Sequence, residues 1–131
     1  MNNYRSKLEA KIAQTLPVGF EYEGTTLRYK KKTSRKMLCQ ECGSEDIVQY
    51  ANYLTDFRLP NGIYLEVKGF FKSSDRTKME SVIFEHPELD IRMVFQRDNW
   101  VTKLKKQKYS DWCNKRNIKY CVGAVPTEWM K

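Results

Sequence analysis

The chain has 131 residues, with 24 Lys and Arg against 16 Asp and Glu, and its formal net charge is +8. This is the size of one ordinary domain, so we expect a single domain over residues 1–131. The positive charge favours a polyanionic partner such as nucleic acid or an anionic membrane surface. No apolar run approaches the roughly 18 residues of a spanning helix, and the first ten residues lack a signal-peptide core, which predicts a soluble, cytoplasmic protein that does not enter a membrane.

The first predicted element is a helix over residues 5–16. Its apolar positions recur every four residues, as in an amphipathic helix that ends before Pro17. These positions are Leu8, Ile12 and Leu16. Glu9 lies beside this apolar stripe, near its edge.

Strands are predicted over residues 20–29, 50–59 and 63–68, with a polar insertion at about 30–49. Ser73 or Ser74 then caps a helix that ends by Pro87. A half-buried strand at 91–95, a short helix at 111–116 and a strand at 118–122 complete the order αβββαβαβ. The fold class is therefore a mixed α/β domain.

The segment "TDFRLPNGIYLEVKGFF" predicts a tight hairpin. Pro60, Asn61 and Gly62 suit a type I turn with a glycine bulge. The resulting register pairs Leu59 with Ile63, Phe57 with Leu65, and Asp56 with Glu66. One face then carries Phe57, Leu59, Ile63 and Leu65, and the other carries Asp56, Arg58, Tyr64, Glu66 and Lys68.

Two facing carboxylates, Asp56 and Glu66, repel each other unless a cation lies between them. Mg²⁺ suits oxygen ligands of this kind and leaves positions for water and a phosphate. Lys68 shares the face of Glu66, where an ammonium can orient the attacking water and offset charge that develops on the phosphate. The residues alone leave open a simpler interpretation, a surface ion pair on an edge hairpin.

The pattern resembles the PD-(D/E)-x-K nuclease signature. The strings "SKLEAKI", "FEYE", "TDFRLPNGIYLEVKG", "SSDRTK", "HPELDIRMVF" and "VPTEWMK" together resemble the phage endonuclease I family of Holliday-junction resolvases. They cover most of the chain outside the insertion, which is far more specific than three residues.

This resemblance implies a restriction-endonuclease-like mixed sheet flanked by helices, with an αβββαβ core, in a homodimer that exchanges elements. It also implies Mg²⁺ or Mn²⁺ and paired nicks that resolve four-way and other branched DNA in the host cytoplasm. Asp56 and Glu66 would be metal ligands and Lys68 the catalytic lysine. Glu9 would be the acid from the N-terminal helix, and the exchange of elements implies that it serves the partner's site. Thr55 departs from the family's usual proline.

The insertion carries "CQECGS", which has the form of a zinc knuckle. No second close pair follows, so either Cys39 and Cys42 meet the same pair of a second subunit around a structural Zn²⁺, or they are free thiols. Cys113 and Cys121 follow a different spacing.

Two basic clusters are candidate DNA-binding surfaces, and a solvated face is the alternative. The first comprises Arg28, Lys30, Lys31, Lys32, Arg35 and Lys36, and the second comprises Lys103, Lys105, Lys106 and Lys108. Asp75 is either a support for the site or a helix cap, and His86 is expected to be structural. The sequence thus predicts a Mg²⁺-dependent nuclease selective for branched DNA, with a less selective duplex nuclease and a non-catalytic DNA-binding module as alternatives.

Overall fold

A computed structural model describes residues 4–31 and 49–131. The helices are α1 (Lys7–Ala13), α2 (Ser73–Glu85) and α3 (Tyr109–Lys115), and a 3₁₀ turn spans Thr127–Met130. The strands are β1 (Glu21–Tyr22), β2 (Thr26–Lys31), β3 (Gln49–Leu54), β4 (Phe57–Arg58), β5 (Tyr64–Lys68), β6 (Ile91–Phe95) and β7 (Tyr120–Val122). None of the helices in these ranges is long and apolar enough to cross a membrane.

Five strands form a mixed sheet in the order β1-β4-β5-β6-β7, and β2 pairs with β3 in a separate two-stranded sheet. The β1, β4 and β5 strands are antiparallel, whereas β5, β6 and β7 are parallel. The predicted mixed α/β class is confirmed. The strand β5 lies at the change from antiparallel to parallel pairing, with β4 on one side and β6 on the other.

The hairpin between β4 and β5 has the predicted register. Phe57 pairs with Leu65, and the Leu59 N–H donates to the Ile63 carbonyl at 2.8 Å. Gly62 has a φ of +94°, the left-handed conformation that the bulged turn requires. The apolar face of this hairpin packs into a core with α1 and the C-terminal segment.

Two predicted strands are each divided between the two sheets. The prediction of one strand over 20–29 is wrong, because the chain turns at Glu23, with a φ of 53°, and passes from β1 to β2. The prediction of one strand over 50–59 is wrong in the same way, since Thr55 and Asp56 separate β3 from β4. The alternating pattern continues through Thr55 and Asp56, which hid the second change of sheet. At Glu23 the pattern is interrupted, because the apolar positions shift from Phe20 and Tyr22 to Leu27 and Tyr29.

The helices differ from prediction at their ends. The helix α1 begins after Ser6, whose hydroxyl accepts from the Glu9 N–H at 3.1 Å, and stops at Ala13 rather than residue 16. The Thr15 hydroxyl donates to the Ile12 carbonyl at 2.7 Å and closes that end. Lys72, not a serine, occupies the N-cap position of α2 and makes no side-chain capping bond.

The strand β6 was predicted to be half-buried, and this is wrong, because all five of its residues are buried. Both neighbouring strands are parallel to it, and residues of α2 and α3 pack on one of its faces while residues of α1 pack on the other. Its one charged residue, Arg92, forms a two-point ion pair with Asp90, with N···O distances of 2.9 and 2.7 Å. Successive side chains of β5 and β6 point to opposite faces of the sheet and pack in two hydrophobic cores. One core includes residues of α2 and α3, and the other includes residues of α1.

Candidate active site

Asp56 lies where the chain leaves the two-stranded sheet and enters β4. Its side chain is 8% exposed, and its Oδ2 accepts a hydrogen bond from the Val67 N–H at 2.8 Å. The preceding Thr55 is buried, and both its N–H and its hydroxyl donate to the Thr25 carbonyl. A proline at position 55 has no N–H to donate, so threonine adds a bond that fixes the backbone beside Asp56.

Glu66 lies in the middle of β5 and is 2% exposed. Its Oε2 accepts a hydrogen bond from the hydroxyl of Tyr53, a buried residue of β3. The carboxylate of Glu66 is therefore held from one side by the two-stranded sheet, while its backbone belongs to the central sheet.

Lys68 follows Glu66 by two residues and points to the same side of β5. Its Nζ lies 3.3 Å from Glu66 Oε1 and 3.5 Å from Asp75 Oδ1. Burial alone would lower the pKa of this ammonium, but Glu66, Asp75 and Asp56 outweigh burial and raise it. Lys68 is thus charged at neutral pH, and Asp75 contacts the site from the first turn of α2.

Lys78 is a second ammonium near the two carboxylates. It lies on α2, and its Nζ is 5.1 Å from the centroid of the Tyr53 ring. Its charge lowers the pKa of both Asp56 and Glu66. The two lysines therefore reach the site from different elements, one from β5 and one from the helix.

Glu9 joins this region from α1 of the same chain. It is 8% exposed, and its Oε2 accepts from the Tyr22 hydroxyl at 2.6 Å. Its negative charge contributes to the raised pKa of Asp56. Burial, followed by the hydrogen bond to Glu9, raises the pKa of Tyr22, so the phenol remains a donor.

The two central carboxyls have properties that suit a hard cation. Burial raises the pKa of Asp56 to about 6 and that of Glu66 to about 7. A divalent ion would lower both values by favouring the ionised forms. Each carboxylate keeps lone pairs beyond its described donors, which are the Val67 N–H for Asp56 and the Tyr53 hydroxyl and Lys68 for Glu66. No group of three or more His, Cys, Asp or Glu side chains within residues 4–31 and 49–131 forms a ready-made cage. Two carboxylates with open positions fit Mg²⁺, which retains several waters.

The basic residues predicted to bind DNA fall into two described groups. Arg28 and Lys30 are exposed on β2, alternating with the buried Leu27 and Tyr29. The guanidinium of Arg28 lies 4.2 Å from the centroid of the Tyr50 ring. Lys31 ends β2, and Lys32, Arg35, Lys36, Cys39 and Cys42 lie outside the residues that the structure describes.

The second group lies on the loop between β6 and α3. Lys103, Lys105 and Lys106 are exposed, and the Lys108 Nζ is 5.2 Å from the centroid of the Trp100 ring. The Val101 N–H donates to the Gln107 carbonyl at 2.6 Å, which folds the loop back on itself. Three lysines are thereby presented together at its end.

The remaining polar candidates have other surroundings. His86 Nε2 lies 2.8 Å from the Arg28 carbonyl, so the ring ties the end of α2 to β2, in agreement with a structural role. Cys113 and Cys121 are buried free thiols, and burial raises the pKa of each to about 12. Both are neutral thiols at physiological pH, which is unfavourable for metal ligation.

Sequence reasoning did not identify Tyr53, Lys78 and Tyr22 as neighbours of the carboxylates. Lys78 follows Asp75 by three residues, a spacing that places two side chains on one face of a helix. That spacing was a usable signal. The two tyrosines reach the site only through tertiary packing, and their local sequence predicts nothing beyond strand.

Comparison with known proteins places the chain in a family. The chain is 37% identical over 134 aligned positions to "Endonuclease I" of Escherichia phage T7, covering 98% of this chain and 78% of that protein. It is 34% identical to "Endodeoxyribonuclease 1" of Enterobacteria phage T3, covering 98% of this chain and 77% of that protein. The model of the phage endonuclease I family matches residues 1–131. The chain therefore belongs to the phage endonuclease I family.

Proposed function

We propose that this protein is a Mg²⁺- or Mn²⁺-dependent endodeoxyribonuclease that cuts four-way and other branched DNA by paired nicks. The observation that carries the proposal is the position of Lys68 Nζ, 3.3 Å from Glu66 and electrostatically coupled to Asp56. Two buried carboxylates with raised pKa values beside a charged lysine form a site for metal-assisted phosphodiester hydrolysis. Family membership supports the nuclease part of the proposal.

In this mechanism Asp56 and Glu66 would hold the divalent cation, which would supply Lewis-acid polarisation of the phosphate and a more acidic water. The Val67 N–H and the Tyr53 hydroxyl fix the orientation of these two carboxylates. Lys68 positions the attacking water and stabilises the negative charge that grows on the phosphate oxygens. Asp75 holds Lys68 from the other side and keeps its ammonium charged. Water attacks directly, so no covalent enzyme intermediate forms.

Selectivity for branched DNA requires two sites that act together, and we propose a homodimer for this reason. Each protomer is a single nuclease domain with a restriction-endonuclease-like core, and the insertion lies between β2 and β3 in the sequence. The exposed Arg28 and Lys30 and the lysines at the end of the second loop are the surfaces proposed to contact phosphates. A phage enzyme of this type would act in the host cytoplasm.

The deciding experiment compares a synthetic four-way junction with a linear duplex of matched sequence, with and without Mg²⁺. Junction cleavage that needs the metal and exceeds duplex cleavage supports the proposal. Equal cleavage of both substrates would favour the less selective nuclease. Binding of DNA without cleavage in Mg²⁺, and again when Mn²⁺ replaces it, would favour the non-catalytic module.

Exchange of elements between protomers is a separate part of the proposal. Glu9 acts electrostatically on Asp56 of its own chain, and in an exchanged dimer this interaction would join the two chains. Co-refolding Glu9→Gln with Glu66→Gln chains tests it. In an exchanged dimer, one site of the mixed dimer regains both acids, and nicking activity returns. Without exchange, every site lacks one acid and the mixture stays inactive.

A further inference from the structure

We propose that Lys78 is a second catalytic cation, which contacts a non-bridging oxygen of the scissile phosphate opposite Lys68. This inference rests on the proposed nuclease function, because it assigns a further residue to the same site. Lys78 lies within the helix α2, one turn after Asp75. The assignment follows from the surroundings of the two lysines.

The ammonium of Lys68 is already engaged with two carboxylates. Glu66 and Asp75 both lie within 3.5 Å of its Nζ. An ammonium has three N–H donors, so two carboxylate contacts restrict how many donors remain for water and phosphate. Lys68 can orient a water and contact one phosphate oxygen in this arrangement, so contact with a second phosphate oxygen would require another ammonium with free donors.

Lys78 meets this requirement in the described part of the chain. No Asp or Glu among residues 4–31 and 49–131 lies within ion-pair distance of its Nζ, which instead lies over the ring of Tyr53 at 5.1 Å from the centroid. Tyr53 is 3% exposed, and its hydroxyl donates to Glu66. The same buried ring therefore supports the ammonium with its face and the carboxylate with its hydroxyl, which fixes their relative positions.

The charge distribution identifies the ligand class. Lys78 acts electrostatically on both Asp56 and Glu66, so its ammonium lies near both carboxylates. An ammonium that is close to carboxylates but not paired with them retains its donors for an incoming anion. In a nuclease that anion is the phosphodiester, and the scissile phosphate is the one that approaches the carboxylates.

A rescue experiment with modified DNA tests this assignment. Lys78→Met removes the charge, Lys78→Arg retains it, and Lys115→Met, on the exposed surface of α3, is the matched control. Single-turnover cleavage of an all-oxygen junction is compared with cleavage of the two phosphorothioate diastereomers at the scissile position. We expect Lys78→Met to lower the all-oxygen rate by about 10²-fold, as for loss of one donor to a charged transition state. Lys78→Arg should recover at least about 10-fold of this loss, and Lys115→Met should cleave normally.

Comparison of the two diastereomers shows whether Lys78 contacts the phosphate or has only a structural role. On the diastereomer whose sulfur replaces the contacted oxygen, the loss caused by Lys78→Met should shrink to less than about 10-fold, because that contact is already weakened. Equal losses on both diastereomers, or normal cleavage by Lys78→Met, would overturn the assignment. Lys78→Gln provides the same comparison if methionine over Tyr53 lowers the melting temperature.

A second measurement does not depend on activity. Calorimetric titration of the DNA-free protein with Mn²⁺ should show equal or tighter binding in Lys78→Met, because a positive charge beside the carboxylates is removed. Weaker Mn²⁺ binding would indicate a distorted site and would contradict the proposal. Failure of the wild-type protein to cut any junction in either Mg²⁺ or Mn²⁺ would instead refute the proposed function.

Discussion

The hydroxyl of Tyr53 donates a hydrogen bond to Glu66 Oε2, and this bond joins the two-stranded sheet to the central sheet. Both residues are nearly fully buried, with exposed fractions of 3% and 2%. A carboxylate this deeply buried is costly unless a donor compensates it. Tyr53 is therefore expected to support both the fold and the orientation of Glu66.

Tyr53→Phe should destabilise the protein by about 1–3 kcal/mol at pH 8, the range for losing a hydrogen bond to a buried charged group. At that pH Glu66, with a pKa of about 7, is mostly ionised. The loss should be smaller at pH 5.5, where the acid is protonated and the bond is one between neutral groups. Urea unfolding at both pH values measures the difference.

Tyr50→Phe is the control for this substitution, since Tyr50 lies on the same strand but is 53% exposed. It should change the free energy of unfolding by less than about 0.5 kcal/mol at either pH. A loss for Tyr53→Phe that is the same at both pH values would mean that the hydroxyl does not act on the charged form of Glu66.

Glu66→Gln and Lys68→Ala should each lower junction cleavage by at least ~10²-fold while junction binding persists, because both groups act mainly in the transition state. Single-turnover cleavage and binding in the absence of a divalent metal separate the two effects. Lys115→Met serves again as a charge-matched surface control for Lys68→Ala. Parallel loss of binding and cleavage would indicate misfolding. Unchanged cleavage would show that Glu66 and Lys68 do not form the active site.

The hairpin shows what local sequence can predict. Pro60 and Gly62 favour a type I turn with a glycine bulge, and the apolar residues on either side fall on one face in only one register. The pairing of Phe57 with Leu65 could therefore be predicted from the sequence. This register also placed Glu66 and Lys68 on one side of β5. The same reasoning placed Asp56 opposite Glu66, but β4 begins at Phe57, and Asp56 instead binds the Val67 N–H through its side chain.

The elements around the site could not be predicted in the same way. The strand that changes sheets at Thr55 keeps its alternating pattern, so that break left no clear local signal. The break at Glu23 did leave one, since Gly24 follows it and the apolar positions change parity between Tyr22 and Leu27. The contacts of Tyr53 and Lys78 join residues on different elements, and periodicity within one element carries no information about them. Burial of β6 on both faces likewise depends on its neighbours, not on its own alternation of Arg92 with apolar residues.

Metal binding should depend on pH between about 6 and 8. Asp56 and Glu66 have pKa values of about 6 and about 7 without metal, so protons compete with the cation as the pH falls through this range. The half-saturating Mg²⁺ concentration for cleavage should therefore rise steeply from pH 8 to pH 6. Mg²⁺ should also raise the melting temperature of the DNA-free protein more at pH 8 than at pH 6.

Metal binding should strengthen as the pH rises, but the same two carboxyls should make the metal-free protein less stable as the pH rises. Their pKa values are higher in the folded chain than the ordinary values of 3.8 and 4.5, so between about pH 4 and 7 the folded state binds more protons than the unfolded state. Their contribution to stability is fully present below about pH 4 and is lost as the pH rises through 6 and 7. In chelator, Glu66→Gln should flatten this decline. A decline of unchanged steepness would show that Glu66 does not titrate in this range.

DNA affinity should fall steeply with salt, with a log–log slope of about −0.9 for each phosphate neutralised on duplex arms. Arg28 and Lys30 are exposed on β2, and Lys31 and Lys32 follow them in the sequence. Neutralising Lys30, Lys31 and Lys32 together should flatten the slope for junction and linear duplex alike. Fluorescence anisotropy over a range of salt concentrations, with Lys115→Met as the control, measures this change.

Preference for the four-way junction over the duplex should survive moderate salt. Both substrates lose condensed counterions on binding, but only the junction can place two arms against two symmetry-related basic surfaces of a dimer at once. The second contact is then intramolecular, so its advantage persists while each contact weakens. Sedimentation at micromolar concentration should accordingly show a dimer. Equal affinities for junction and duplex at every salt concentration would exclude structure selectivity and leave the less selective nuclease as the function.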